Sequence, residues 1–327
     1  MIRAAIDVSP LVQTRAGTAR YLKGLLRELQ GRDDVEVTTR SFGRDDRVST
    51  LMRDGVWYPF VLGRELRADV LHCPTYRGPL KSSRPLVVTV HDLAVLRHPE
   101  TFNRWTRTYS PRVVPRVLRS ASLIIAVSEF TRNELVELLD VPREKIRVVP
   151  NAVEEEFTRE GPSAEGEYVL TVGTLEPRKN LSRLVEAARR ADVELRVVGA
   201  RGWGEVEVGG NGVRWLGEVS DRELAALYRG ARCVAYPSLY EGFGIPVLEA
   251  MACGVPVVTT RGSAMEEVAD GAAVLVDARD AAEIAVGIER ATADRDQLVA
   301  RGLERARAFR WDAIGEATVS VYREAAS

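Results

Sequence analysis

Glu241-Gly242-Phe243-Gly244-Ile245-Pro246-Val247-Leu248-Glu249 links two short apolar runs, 233–236 and 255–259. Runs of this length and texture suit parallel strands buried on both faces. Gly242 and Gly244 carry no Cβ, so the backbone between the runs can approach a ligand closely. Pro246 has the fixed φ and missing N–H that suit a first helical position, and 247–251 then continues as an apolar helix. Strand, Gly turn, helix and strand make the repeating unit of a doubly wound α/β sheet.

The same nine residues point to chemistry. Gly244 and Ile245 present N–H groups at a helix N-terminus, a ready anion site. Glu241 stands before that turn, and Glu249 lies within the first turns of the helix. Two carboxylates around an anion-attracting turn suit a ligand with anionic and hydroxylic parts, and a nucleotide-sugar is such a ligand. For the string in isolation, a capped helix with solvated carboxylates is the plain alternative.

Outward from this segment the pattern repeats. Strands are expected over 2–8, 35–40, 70–72, 86–90, 123–127 and 146–149, then over 168–172, 195–198, 213–216, 233–236, 255–259 and 273–276. Helices are expected between them, at 18–29, 129–138, 181–191, 221–229 and 281–291. The alternation occurs twice, either side of the polar stretch 154–166, and 327 residues suit two domains. Each is expected as a doubly wound, Rossmann-like parallel sheet, the pair facing a central cleft at their strand carboxyl ends.

Net charge is −1, but the halves differ. Residues 1–160 carry 26 Lys and Arg against 21 Asp and Glu (+5), and residues 161–327 carry 20 against 26 (−6). The basic excess is densest over 104–119, where Arg104, Arg107, Arg112, Arg116 and Arg119 have no acidic neighbour. A solvated helix face accounts for them, as does a surface meeting anionic lipid or a pyrophosphate-bearing acceptor. No aromatic interleaving or nucleic-acid motif accompanies the charge, so no nucleic-acid partner is expected. Cys73, Cys233 and Cys253 share no metal-ligand spacing, and scattered thiols suit a reducing compartment. With no signal-peptide apolar region and no run of transmembrane length, the expected location is cytoplasmic, with peripheral contact on the inner face of the membrane open.

Five motifs fall just past strand ends, where an α/β sheet binds ligands. Gly17 follows the first strand and lets backbone approach a reacting centre, though Arg15-Ala16-Gly17 lacks the spacing of a dinucleotide fingerprint. His91-Asp92 follows the fourth; His91 suits a bond to a sugar hydroxyl or to the acceptor, or a proton transfer. Arg178-Lys179 follows 168–172 and can clamp a pyrophosphate, Arg as a fork and Lys as a point charge, with Asn180 as helix cap. The Gly199 to Gly204 loop follows 195–198, and Glu241 to Gly244 follows 233–236. Read separately, each has a bland counterpart: an exposed cation pair, a backbone-bonded His, a plain strand-to-helix turn.

The long stretch 237–258 resembles the signature of the family 4 glycosyltransferases, retaining enzymes of the GT-B fold. Gly17-Thr18-Ala19-Arg20-Tyr21, Val-Thr-Val-His91-Asp92-Leu, Ala-Val-Ser128-Glu129-Phe and Val-Pro150-Asn151-Ala-Val are similar to further motifs of its mannosyltransferase-like branch. So are Val-Gly173-Thr-Leu-Glu-Pro-Arg178-Lys179-Asn, Val-Gly199-Ala-Arg-Gly-Trp203 and Gly217-Glu-Val-Ser-Asp221. The resemblance implies an acceptor-side domain over 1–158, a linker over 154–166, a donor-binding domain over 166–310 and a final helix, 311–327, crossing back onto the first domain. It implies that Arg178 and Lys179 hold the donor diphosphate and Glu249 the ribose hydroxyls. Phe243, Gly244 and Ile245 would offer backbone to phosphate and sugar, and Gly217 to Val219 would flank the base. His91 and Glu241 would lie at the reaction centre, with Gly17 and Gly199 lining the donor site. Ala19 and Glu266 depart from the family pattern and bear on the acceptor side.

The implied activity is transfer of a hexose, first mannose, from a GDP- or UDP-sugar to a glycan, lipid-linked or small-molecule acceptor in polysaccharide biosynthesis. No metal and no cofactor beyond the nucleotide-sugar co-substrate are implied. A nucleotide-sugar 2-epimerase of the same architecture and a non-catalytic sugar-nucleotide-binding partner protein remain as alternatives. A glycosidase would not need a diphosphate clamp.

Overall fold

The computed structural model describes residues 1–13, 17–64, 66–102, 104–202 and 212–327. These fall into two compact units, Met1–Ala152 with Arg310–Ser327, and Val153–Phe309. Each is built on its own six-stranded parallel sheet.

In the first unit the strands are β1 (Ile2–Asp7), β2 (Val35–Arg40), β3 (Val70–Cys73), β4 (Leu86–Val90), β5 (Leu123–Ala126) and β6 (Ile146–Val148), in the order β2-β1-β3-β4-β5-β6. Every residue of β3, β4 and β5 is buried, which is why these segments read as unbroken apolar runs. Alternate side chains pack on opposite faces: Leu71, Val88 and Ile124 in one layer, Val70, Val87 and Ile125 in the other. The chain winds from β1 to β2, then crosses back to β3, so the topological switch point lies between β1 and β3.

The second unit holds β7 (Tyr168–Val172), β8 (Glu194–Val198), β9 (Val213–Gly217), β10 (Cys233–Tyr236), β11 (Val257–Thr260) and β12 (Val274–Val276), in the order β12-β11-β10-β7-β8-β9. Winding here runs outward from β7 to β9 and returns to β10, which puts the switch point between β7 and β10. The two loops that follow those strands contain Arg178-Lys179 and Glu241 to Gly244.

Two stretches differ from the sequence reading. Residues 154–166, expected as a linker, sit on the second unit: Phe157 is buried with its ring edge toward Tyr228, and Arg229 donates to the carbonyls of Thr158 and Pro162. Between β2 and β3, where no element was expected, the helix Arg47–Met52 runs directly into a π-helical segment, Arg53–Val61. Its Pro59 and Gly55 masked the helical period. The last helix, Trp311–Ala326, belongs to the first unit, where Tyr322 Oη lies 2.7 Å from His72 Nδ1. Among the described residues no helix is long and apolar enough to cross a membrane.

Candidate active site

Chain ends of β7 and β10 are stitched together by main chain before any charge is considered. Leu239 N–H donates to Arg178 O at 2.9 Å, and Asn180 Nδ2 donates to Pro237 O at 3.0 Å and to Ala278 O at 2.6 Å. Asn180 occupies the N-cap position of the helix Leu181–Arg190, but its side chain makes no cap bond. It holds the two switch-point loops together instead.

That stitching sets a buried charge cluster. Lys179 Nζ lies 2.5 Å from Glu241 Oε1, and Arg178 Nη1 lies 2.7 Å from Glu241 Oε2. The other Arg178 amine pairs with Glu176 at 2.5 Å, and Arg178 also donates to the Tyr240 carbonyl. Tyr236 Oη, at the end of β10, lies 3.0 Å from Glu241 Oε1 and accepts from Lys179 Nζ at 2.5 Å. Burial pushes the Glu241 carboxyl up, yet Lys179 and Arg178 together outweigh it and hold it at about 2. Burial lowers the Lys179 ammonium, and Glu241 opposes that shift. Two cations and two carboxylates therefore balance here, and an incoming anion would compete with Glu241 for both cations.

The helix Ile245–Ala252 starts one residue before Pro246, with Gly244 at its N-cap. Gly244 has φ 107°, and a Cβ there would stand 2.7 Å from Met265 Cγ, so both conformation and space require glycine. Phe243 turns its ring inward against Phe309, leaving its backbone as the part available to a ligand. Ile245 is half-buried. Glu249, 1% exposed, lies within the helix and accepts from Tyr228 Oη at 2.8 Å.

Gly199 has an internal reason to be glycine. A Cβ on it would meet Gly173 O at 2.0 Å, because the ends of β7 and β8 pack backbone to backbone. Gly217 ends β9 and the half-buried Val219 follows it; Gly217 has φ 74° and nothing within 4 Å of its Cβ position. Glu266, in the helix Ala264–Ala269, accepts from Gly262 N–H. Arg15, Ala16, Trp203 and Gly204 lie outside the described residues.

In the first unit, Gly17 opens the helix Gly17–Gln30, and Ala19 faces the core. Tyr21 of that helix places its ring edge against His91, centroids 4.8 Å apart at 79°. His91 Nε2 is 3.0 Å from Pro74 O, which only accepts, so Nε2 carries hydrogen and the neutral ring keeps Nδ1 as an acceptor. Burial lowers the imidazole below its ordinary range, against the pull of Asp92. Behind it runs a buried chain of polar contacts: Tyr21 Oη to Thr89 Oγ1 at 3.5 Å, Thr89 Oγ1 to His72 Nε2 at 2.8 Å, and His72 Nδ1 to Tyr322 Oη.

Tyr236, Glu176, Tyr228, Tyr21 and Thr89 were not singled out from sequence. Tyr236 and Thr89 sit inside apolar strands and read as core; the signal was a hydroxyl at a strand end, pointing at the switch-point edge. Glu176 and Tyr228 carry no such mark.

Comparison with known proteins follows the same division. Residues 152–309 match the family described as Glycosyl transferases group 1, and residues 15–157 match Glycosyltransferase Family 4. The O-antigen chain mannosyltransferase B of Escherichia coli is 33% identical over 288 residues, 80% of this chain and 75% of that protein. The MMP alpha-(1->4)-mannosyltransferase of Mycolicibacterium hassiacum is 30% identical over 307 residues, 80% of this chain and 72% of the relative. The chain belongs to the family 4 glycosyltransferases. Among solved structures, sucrose-phosphate synthase from Thermosynechococcus elongatus superposes with TM-score 0.75 at 20% identity, covering 99% of each chain. Anabaena HepE, in complex with UDP and glucose, gives 0.75 at 19% identity over 99% of this chain and 100% of its own. At such identity the likeness establishes the fold, which is GT-B.

Proposed function

We propose that this glycosyltransferase moves a hexosyl group, mannose first, from a nucleoside diphosphate sugar to a hydroxyl of a glycan, lipid-linked or small-molecule acceptor. Retention of anomeric configuration and independence of a metal ion are part of the proposal. The observation that carries it is the meeting of Arg178, Lys179 and Glu241 at the switch point of the second sheet.

At that point two cations stand beside the N-terminus of the helix Ile245–Ala252. A diphosphate that displaces Glu241 from them gains charge-assisted bonds from Arg178 and Lys179 and N–H groups from Gly244 and Ile245. The acceptor oxygen attacks the anomeric carbon on the face from which the diphosphate leaves. The bond from that carbon to the phosphate oxygen breaks, and the acceptor's proton passes to the departing diphosphate. Charge growing on the leaving group meets preset donors, the main electrostatic contribution to such a step. Glu249 and Tyr228 hold the ribose hydroxyls, and Glu241 engages the transferred sugar; in the first unit, His91 Nδ1 is an acceptor for a sugar or acceptor hydroxyl.

Mannose is favoured by the relatives named mannosyltransferases, in Escherichia coli for an O-antigen chain. The UDP and UDP-glucose complexes of Anabaena HepE keep uridine donors in the proposal beside GDP-mannose. A thermal-shift panel of nucleotide-sugars tests it, since a bound donor raises apparent stability by mass action. One donor should stand out, and Arg178→Ala and Glu249→Ala should each erase its shift; an unchanged shift in both variants would refute the donor site.

A further inference from the structure

The first unit carries a surface that the donor reading does not use. Along the helix Arg47–Met52 and the π-helical segment Arg53–Val61, Val48 (71% exposed), Met52 (46%), Val56 (43%) and Phe60 (54%) recur every fourth residue. They form one apolar stripe, with Leu51 beside it. Trp105 joins it from the neighbouring helix Arg104–Ser120: its indole N–H donates to Asp54 Oδ2 at 3.0 Å, and its ring is 43% exposed. Of the nine large apolar side chains exposed among the described residues, six are in this patch. Clustering of that kind marks an interaction surface.

Charge identifies the occupant. On Arg104–Ser120, Arg112 and Arg116 follow Trp105 at seven and eleven residues, so all three share an exposed helical flank, and that helix contains no acid. At the far end of both helices lies a shallow pocket of about 560 Å³ lined by Lys81, Ser83, Arg84 and Ser120. It abuts the stripe, because Leu80 N–H bonds Pro59 O and Ser83 N–H bonds Gly63 O, and it abuts the Arg helix through Ser120 Oγ on Pro79 O. Apolar side chains flanked by Arg and Lys, with Asp45 and Asp46 confined to the N-terminal end of the stripe and a Trp whose N–H is already satisfied, fit an interface between hydrocarbon and anionic headgroups. A second copy fits badly: a two-fold contact would bring Arg112 and Arg116 of both copies into one interface.

We propose that this face of the first unit docks on an anionic lipid bilayer, with Val48, Met52, Val56 and Phe60 entering the headgroup region and Arg112, Arg116, Lys81 and Arg84 meeting lipid phosphates. The proposal is independent of which donor the second unit takes.

Vesicle flotation at low salt tests it, with phosphatidylglycerol in phosphatidylcholine against phosphatidylcholine alone. The wild-type chain should float with the anionic vesicles only. Val56→Asp with Phe60→Asp should lower partitioning at least roughly 10-fold. Arg112→Glu with Arg116→Glu should lower it at least about 30-fold. Circular dichroism checks that the variants fold; if the Asp pair unfolds, Phe60→Ser alone carries the test. Flotation unchanged in the folded variants, or absent for wild type with both compositions, overturns the proposal. So does a concentration-dependent dimer that the stripe variants dissolve without any change in flotation. The nucleotide-sugar thermal shift is read on the same variants and should persist, so failure here leaves the transfer reading standing.

Discussion

Lys179 Nζ and Glu241 Oε1 lie 2.5 Å apart across the β7 and β10 loops of the second unit, and Arg178 binds the other oxygen of the same carboxylate. One anion thus holds two half-buried cations. Glu241 stands where the proposed diphosphate would draw the same cations. Glu241→Gln removes the anion and leaves Lys179 and part of Arg178 uncompensated, which should cost about 3–5 kcal/mol of stability. A nucleoside diphosphate should recover part of that loss, so its thermal shift should be larger in Glu241→Gln than in wild type, while transfer collapses. Urea unfolding with and without ligand measures both; a smaller shift in the variant contradicts the displacement.

Stability should vary with pH in opposite senses in the two units. Glu241, held at about 2 against an ordinary 4.5, stabilises the second unit fully above pH 4.5, and that contribution is lost as pH falls toward 2. Asp7, at the end of β1, has burial pushing it up to about 6 from 3.8, against bonds from Ser9. Its folded-state value is the higher one, so its contribution is full below pH 3.8 and is lost as pH rises through 6. The difference corresponds to on the order of 3 kcal/mol. Asp7→Asn should flatten the first unit's unfolding profile between pH 4 and 6 and leave the acid limb of Glu241 in place. Unfolding midpoints measured from pH 3 to 8, with near-ultraviolet probes in each unit, separate the two limbs.

Gly244→Ala tests the turn itself. Positive φ and the 2.7 Å approach to Met265 leave no room for a methyl group without moving helix 264–269 or the turn. The expected loss is roughly 1–3 kcal/mol of stability, with a rise in donor KM larger than the fall in kcat. A variant with wild-type KM would show that the turn does not touch the donor.

The sheets were legible because β3, β4, β5 and β10 are buried along their whole length, and burial on both faces writes itself as unbroken apolar sequence. The switch-point loops were legible for a related reason: Gly, Pro and paired charges just past a strand have few structural uses. Asn180 was seen at the right position but given the wrong task, since a local cap is visible in sequence and a bond to Pro237 is not. The charge balance around Arg178 was also hidden. Glu176 is two residues away, but Glu241 is brought there only by the β7–β10 pairing. Helix 47–61 escaped because Gly55 and Pro59 interrupt its period and its exposed face is apolar, the reverse of the pattern that periodicity reads.

His91 yields the last prediction, and Tyr21 controls it. With Nε2–H on Pro74 O and a Tyr21 ring against its face, the imidazole should stay neutral below the ordinary histidine range. His72, pushed down to about 3 by burial, should not titrate near neutrality at all. Nuclear magnetic resonance of the ring protons should therefore show neither residue charging between pH 8 and 6.5. Tyr21→Leu removes the ring edge and the Thr89 contact, lets water in, and should move His91 upward toward its ordinary value. His91→Ala should lower kcat/KM about 100-fold with donor affinity nearly unchanged. If Tyr21→Leu leaves the His91 titration where it was, the low value belongs to the strand-end backbone, and Tyr21 has no part in setting it.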